Sequence, residues 1–184
     1  LAEFAAILGK EEDGVQFRQL AEEVKENYNR RLLVQDENGK WCYRSFEHKE
    51  SLVMTQACEA LPLYWGMVPE DKVSDIVEAF RQTLLEKQAF ASGEVGLPYI
   101  IQTASRYRMN DLICSFITKP EHPSYYAFVK EGLTTLGEYW EENPRSHCHD
   151  MMGHIIEWYY NGLAGIKPLE PGFKKVLIKP YLPE

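Results

Sequence analysis

The chain has 184 residues, 45% of them hydrophobic, and a formal net charge of −8 with a pI near 5.2. That is enough apolar content and length for one domain with a real core, possibly with a short appendage, and it excludes a disordered chain. The acidic balance argues against nucleic acid or an anionic membrane face as partner, because both select basic surfaces; a neutral ligand fits it better.

The first residues, Leu1-Ala2-Glu3-Phe4-Ala5-Ala6-Ile7-Leu8, lack an initiator Met and read as the last turns of a helix, as an internal stretch of a longer protein does. Phe17, Leu20, Ala21, Val24 and Tyr28 then recur at helical spacing on one stripe. Asp36-Glu37-Asn38-Gly39-Lys40-Trp41 has turn chemistry and no such stripe, which predicts a small hairpin or a long loop. Ser51 to Tyr64 predicts a helix with apolar residues around much of its circumference, of the kind covered on more than one side. Pro69-Glu70-Asp71 suits a helix start and its positive dipole end, and Val73, Ile76, Val77, Phe80 and Leu84 supply the stripe that follows. Leu97 to Arg106 and Met109 to Ile117 predict packed helices. After His122-Pro123-Ser124 a looser stripe runs through Phe128, Val129, Leu133 and Leu136, and Met151 to Leu163 predicts a last helix. Short connections make successive helices antiparallel neighbours, a string of αα-hairpins. A two-layered toroid covers such helices on both sides; a four-helix bundle is the simpler alternative. The segment 171–180 alternates and predicts a strand leaving the helical domain.

No apolar run reaches the ~18 residues that a membrane-spanning helix requires, and no charged-then-apolar leader stands at the start; the compartment stays open. Cys42, Cys58, Cys114 and Cys148 form no CxxC pair, so free and mostly buried thiols are expected rather than a zinc knuckle or redox site. No phosphate loop, nucleophile elbow or dinucleotide fingerprint occurs, and no cofactor is expected.

Reactive side chains are densest from Gly137 to Asp150, between two predicted helices, where a rigid scaffold presents functional groups. Leu136 behind Glu138 and Tyr139-Trp140 ahead of it shield one carboxylate at a pocket edge, whereas Glu141 and Glu142 read as solvated. On these residues alone Glu138 is either a surface glutamate or a catalytic base. His147, Asp150 and His154 share a face, and could hold one metal ion, only if the helix begins early enough; otherwise the histidines are hydrogen-bonded or sugar-binding. Trp41, Trp65, Trp140, Trp158, Tyr99, Tyr125 and Tyr126 are expected to be mostly core, with about two lining a pocket suited to a sugar ring.

The block Thr135-Leu136-Gly137-Glu138-Tyr139-Trp140, Ser146-His147-Cys148-His149, Gly153 and Glu157-Trp158 through Ala164-Gly165-Ile166 resembles the pattern T-x-W-E-x-W, S-x-N-H, G-x-x-x-E-W-x-x-x-x-x-A-G-I of family 78 α-L-rhamnosidases. Further matches include Thr55-Gln56, Gly93 to Tyr99, His122-Pro123-Ser124-Tyr125 and Pro171 to Lys175. The resemblance implies an all-α (α/α)6 toroid, with residues 1–168 supplying about its second half and 169–184 the linker and first strand of a C-terminal β region. It also implies an inverting glycosidase acting on terminal α-L-rhamnosides, without metal, in which Glu138 matches the general base. His149 matches a sugar-contacting histidine, and Trp140 and Tyr125 fall on the substrate side. Gly137 stands where Trp is usual, Glu94 where an apolar aromatic is common and Cys148 where Asn is common, which bears on substrate fit more than on mechanism.

The family's general acid lies in a D-x-x-x-R-x-E-R-type segment that this sequence does not contain, so the chain alone is expected to be inactive. A non-catalytic glycan-binding homologue, another toroid hydrolase and a metal-dependent hydrolase are the competing readings. Uncovered helix faces are expected to favour self-association.

Overall fold

A computed structural model describes residues 1–48, 51–141 and 145–183. Helices α1 (Ala2–Ile7) and α2 (Glu11–Leu32) form an antiparallel pair, with Gly14 of α2 beside Ala5 of α1. Strands β1 (Leu33–Gln35) and β2 (Trp41–Tyr43) make the expected hairpin, in register Leu33 to Tyr43. Asp36 builds its turn, one carboxylate oxygen accepting from the N–H groups of Asn38 and Lys40 at 2.9 and 2.8 Å.

Helix α3 (Gln56–Tyr64) starts five residues later than the apolar pattern predicts. Thr55 is extended and its hydroxyl accepts from the N–H of Cys58, while the Val53 carbonyl accepts from Ser45 N–H, so residues 51–54 run alongside the hairpin instead. Helices α4 (Val73–Lys87), α5 (Leu97–Arg106) and α6 (Asn110–Ile117) match their predicted spans closely. Helix α7 (Tyr125–Lys130) is short. Gly132 turns the chain at φ +78° and Leu133 N–H closes back on the Phe128 carbonyl, which leaves Leu133 and Leu136 beyond the helix. The predicted last helix is likewise broken into a 3₁₀ turn (Asp150–Met152), α8 (Ile155–Trp158) and a widened π turn (Tyr159–Leu163). Strand β4 (Val176–Ile178) lies inside the predicted strand segment and pairs antiparallel with β3 (Ile166–Pro168), a strand the pattern does not foretell. Gly165, at φ +66°, permits that pairing, since a Cβ there would lie 1.8 Å from the Lys179 carbonyl oxygen.

Helices α3, α5 and α8 lie side by side and run the same way. Thr103 of α5 donates to the Ala60 carbonyl of α3 and Arg106 to that of Tyr64, at 3.2 and 3.0 Å. Gln102 of α5 donates to Glu157 of α8 at 2.7 Å, and one turn on Gly162 passes close to Ser105. Helices α4 and α6 return in the opposite sense behind them, with the end of α4 beside the start of α3 through Gln56 and the end of α6 beside Phe90. The core fills the space between these layers: Ile76, Phe80 and Leu84 of α4, Leu97, Ile100, Ile101 and Ala104 of α5, and Ile113 and Phe116 of α6. Trp158 closes it. Its indole N–H donates to Asn110 at 2.9 Å, and Gly162 is the residue that makes room, because a Cβ there would fall 2.3 Å from the ring.

The α2 stripe is real but mostly uncovered, with Leu20 55% and Val24 52% exposed, whereas Phe80 of the α4 stripe is fully buried. Phe80→Ala is therefore expected to lower the unfolding free energy by about 3–5 kcal/mol, and Leu20→Ala to change it by no more than about 0.5 kcal/mol. Urea titration of both variants checks the contrast.

Glu59 is the one charged residue type buried among the described core, and its carboxylate only accepts from Tyr43 N–H, at 2.9 and 3.2 Å. Burial outweighs that hydrogen bond and pushes the carboxyl up from 4.5 to about 8. An acid raised on folding stabilises most below its unfolded value and loses that contribution as pH rises through the folded one. Stability should thus fall between pH 4.5 and about 8, by on the order of a few kcal/mol. Glu59→Gln should flatten the dependence in denaturant titrations across that range.

Candidate functional site

Because α3, α5 and α8 are parallel, the segments that lead into them gather at one end of the helical layer. The leader of α5 is pinned there by Gln56, a buried amide that donates to the Ala89 carbonyl at 2.8 Å and accepts from Ala91 N–H at 2.9 Å. The sequence reading missed Gln56 as a positioning residue; its signal was a polar side chain inside an apolar helix stretch, visible only as a mismatch. The leader of α8 is the long segment after α7, and it carries the reactive cluster.

This segment is built as a ladder. Glu138 N–H donates to the Ser146 carbonyl at 3.0 Å, His149 N–H to the Leu136 carbonyl at 2.9 Å, and the Thr135 hydroxyl to the His147 carbonyl. Glu138 and His149 are so brought onto one short two-stranded frame. Trp140 braces it from behind, edge-on to Tyr125 at 5.1 Å and stacked on Phe128 at 6.2 Å between ring centres. Its half-buried indole leaves Nε1 without a hydrogen-bond partner among the described residues.

Tyr125 is placed differently from the sequence reading. It is buried, and its hydroxyl donates to the Met152 carbonyl at 2.6 Å, so it ties α7 to the turn that opens α8 and does not present its hydroxyl to a ligand. The same burial keeps the phenol protonated far into the alkaline range.

Of the described carboxylates in the segment, Glu138 is the shielded one: its side chain is 29% exposed, against 93% for Asp150, and Glu141 lies on the surface. Glu142 lies outside the described residues. The Arg145 guanidinium stands 3.9 Å from Glu138 Oε1 and 5.8 Å from the centre of the Tyr139 ring. His149 caps the 3₁₀ turn, its Nδ1 accepting from Met151 N–H at 3.1 Å. A ring nitrogen that accepts carries no proton, so this contact selects the tautomer with hydrogen on Nε2, and Asp150 at 3.5 Å from the same Nδ1 receives none from it. His149 thereby offers Nε2–H as a donor.

The metal reading needed a helix that begins early enough to align His147, Asp150 and His154. The turn begins at Asp150, capped by His149, and His147 stays in the exposed ladder; among the described residues no three metal-binding side chains converge. All four cysteines are free, with Cys42 buried, Cys58 and Cys114 half-buried and Cys148 exposed, so burial is less general than expected. Glu94 is exposed ahead of α5. Trp65, Tyr64 and Tyr99 pack on one another near the Arg106 guanidinium, and beside them a concavity of about 380 Å³ runs along α5 and α8. Glu157 in that concavity is engaged by Gln102 and Asn161 at 2.7 and 3.0 Å.

If Tyr125 holds the frame through Met152, Tyr125→Phe should cost about 1–3 kcal/mol, the range for a buried acceptor left unmatched. Amide exchange at Met152 to Ile155 should accelerate while α4 and α5 stay protected; equal protection throughout would show the bond to be dispensable.

A family model described as the bacterial alpha-L-rhamnosidase 6 hairpin glycosidase domain matches residues 1–163. An alpha-L-rhamnosidase of Alteromonas sp. (strain LOR) is 30% identical over 140 residues, 70% of this chain and 15% of its own length. The solved alpha-L-rhamnosidase from Dictyoglumus thermophilum superposes with a TM-score of 0.84 at 30% identity, over 98% of this chain and 20% of that one. A Streptomyces avermitilis alpha-L-rhamnosidase, solved with L-rhamnose, shares the fold with a TM-score of 0.81 at 21% identity, over 99% of this chain and 17% of its own. The chain thus spans a fifth or less of the length of these relatives.

Proposed function

Because this chain belongs to the bacterial α-L-rhamnosidase six-hairpin glycosidase family, we propose that it supplies the water-activating side of an inverting α-L-rhamnosidase site. Glu138 is the general base, His149 donates from Nε2 to a sugar hydroxyl, and Trp140 forms the wall that keeps the segment rigid. The observation that carries this reading is the contrast within one segment: Glu138 is shielded and framed, while Glu141 and Asp150 are open to solvent.

In such a site Glu138 takes a proton from water as the water attacks the anomeric carbon, on the face opposite the leaving oxygen. A second carboxyl ~6.5–9.5 Å away protonates that oxygen. The sequence contains no segment matching the family's acid, so the acid comes from another part of the enzyme and the 184-residue chain alone should show no turnover.

The test replaces the matching segment of the Dictyoglumus thermophilum enzyme with this chain and follows an aryl α-L-rhamnoside. The hybrid should release rhamnose first as the inverted anomer, and Glu138→Gln should lower kcat by about 10²–10⁴-fold. Retained configuration, or an unchanged kcat in the variant, would remove Glu138 from the role; sugar binding without turnover would favour the glycan-binding reading.

A further inference from the structure

Arginines gather at the end of α2, in a chain whose net charge is −8. Arg30 and Arg31 close the last turn of the helix, where the negative end of the helix dipole favours cations. Arg44 comes from the hairpin. With Leu33 in register opposite Tyr43, β2 carries the chain back to the end of α2, and Arg44 N–H donates to the Leu32 carbonyl at 3.0 Å. Its guanidinium donates to the Arg31 carbonyl at 3.1 Å, which holds the side chain against the helix end and leaves its other donors unused among the described residues. Arg30 gives one donor to Asn27, and the Arg31 side chain bonds to nothing among the described residues.

These guanidinium groups line one concavity of about 370 Å³, with Leu32 and Phe46 as its apolar wall. Among the described residues no carboxylate lines it, and none pairs with Arg30, Arg31 or Arg44. The helix dipole accounts for cations in the last turn of α2. It does not account for Arg44, brought from another element into the same concavity, where like charges repel. An anion relieves that repulsion. Planar guanidinium forks match the oxygens of a phosphate or sulfate group and hold them with charge-assisted hydrogen bonds. The volume falls in the ~300–1,000 Å³ range of sites that enclose a small molecule, so a ring bearing such a group fits as well as the free ion. None of the lining residues belongs to the segment that carries Glu138 and His149.

We propose that Arg30, Arg31 and Arg44 form a binding site for an oxyanion, a phosphate or sulfate group that is either free or esterified to a sugar. The test is calorimetry on the 184-residue chain at constant ionic strength, with sodium phosphate, sodium sulfate and glucose 6-phosphate as probes. Phosphate and sulfate should bind saturably, and Arg31→Gln and Arg44→Gln should each weaken them about tenfold or more, as the loss of a charge-assisted hydrogen bond does. Arg18→Gln, on α2 outside the concavity, should change the affinity by less than about twofold, since its charge is screened. Glucose 6-phosphate binding more tightly than phosphate assigns the site to an esterified sugar, and equal or weaker binding assigns it to the free ion. Should Arg44→Gln lose its helical circular dichroism, Arg31→Gln decides, because the Arg31 side chain holds no bond of the fold among the described residues. No saturable anion binding, or binding that Arg31→Gln weakens no more than Arg18→Gln does, overturns the site.

Discussion

The parallel alignment of α3, α5 and α8 is the constraint on which the candidate site depends. Side chain to carbonyl bonds lock α3 to α5 at Thr103 and Arg106, and the Gln102 to Glu157 bond with the close passage at Gly162 locks α5 to α8. A helix can neighbour another in the same direction only if the chain returns between them, which α4 and α6 do. Every leader into the parallel layer then arrives at the same end, and each is long enough to be shaped by side chains of its own.

Those leaders are held by polar groups that the apolar layers have made scarce. Gln56 serves the leader of α5, and Tyr125 with the Ser146 to Cys148 turn serves that of α8. Buried backbone carbonyls need such partners, and each bond here anchors loop backbone to a helix. The consequence for chemistry is rigidity: Glu138 and His149 occupy a frame of backbone hydrogen bonds, so a carboxylate and an imidazole donor keep their relation to one another.

Legibility in the sequence followed how far each pattern was decided locally. Helix α4 was plain because its stripe, its proline and acids at the start, and its burial all agree. The Asp36 turn was plain because its own carboxylate makes it. The start of α3 was misplaced because apolar periodicity continues through Leu52 to Met54, and only the Thr55 cap stops the helix there. Leu133 and Leu136 mimicked a helical stripe while serving the turn and ladder beyond Lys130. Within the site, Glu138 and His149 stood out by residue type and neighbours. The hydrogen bond from Tyr125 to Met152 was not legible, because nothing in a sequence tells whether a phenol hydroxyl points to a ligand or to a distant carbonyl.

The glycines of the recognisable block show that same limit from the other side. Gly162 and Gly165 are demanded by contact, with Trp158 and with the Lys179 carbonyl respectively, and a side chain at either would have to displace an element. Gly137 is demanded by nothing around it, since a Cβ would sit in ordinary contact distance of the Ser146 and Tyr139 carbonyls. A residue that the fold does not require, beside the one shielded carboxylate among the described residues of the segment, is a place where side-chain volume can change without disturbing the frame. Variation there leaves Glu138 where the ladder puts it.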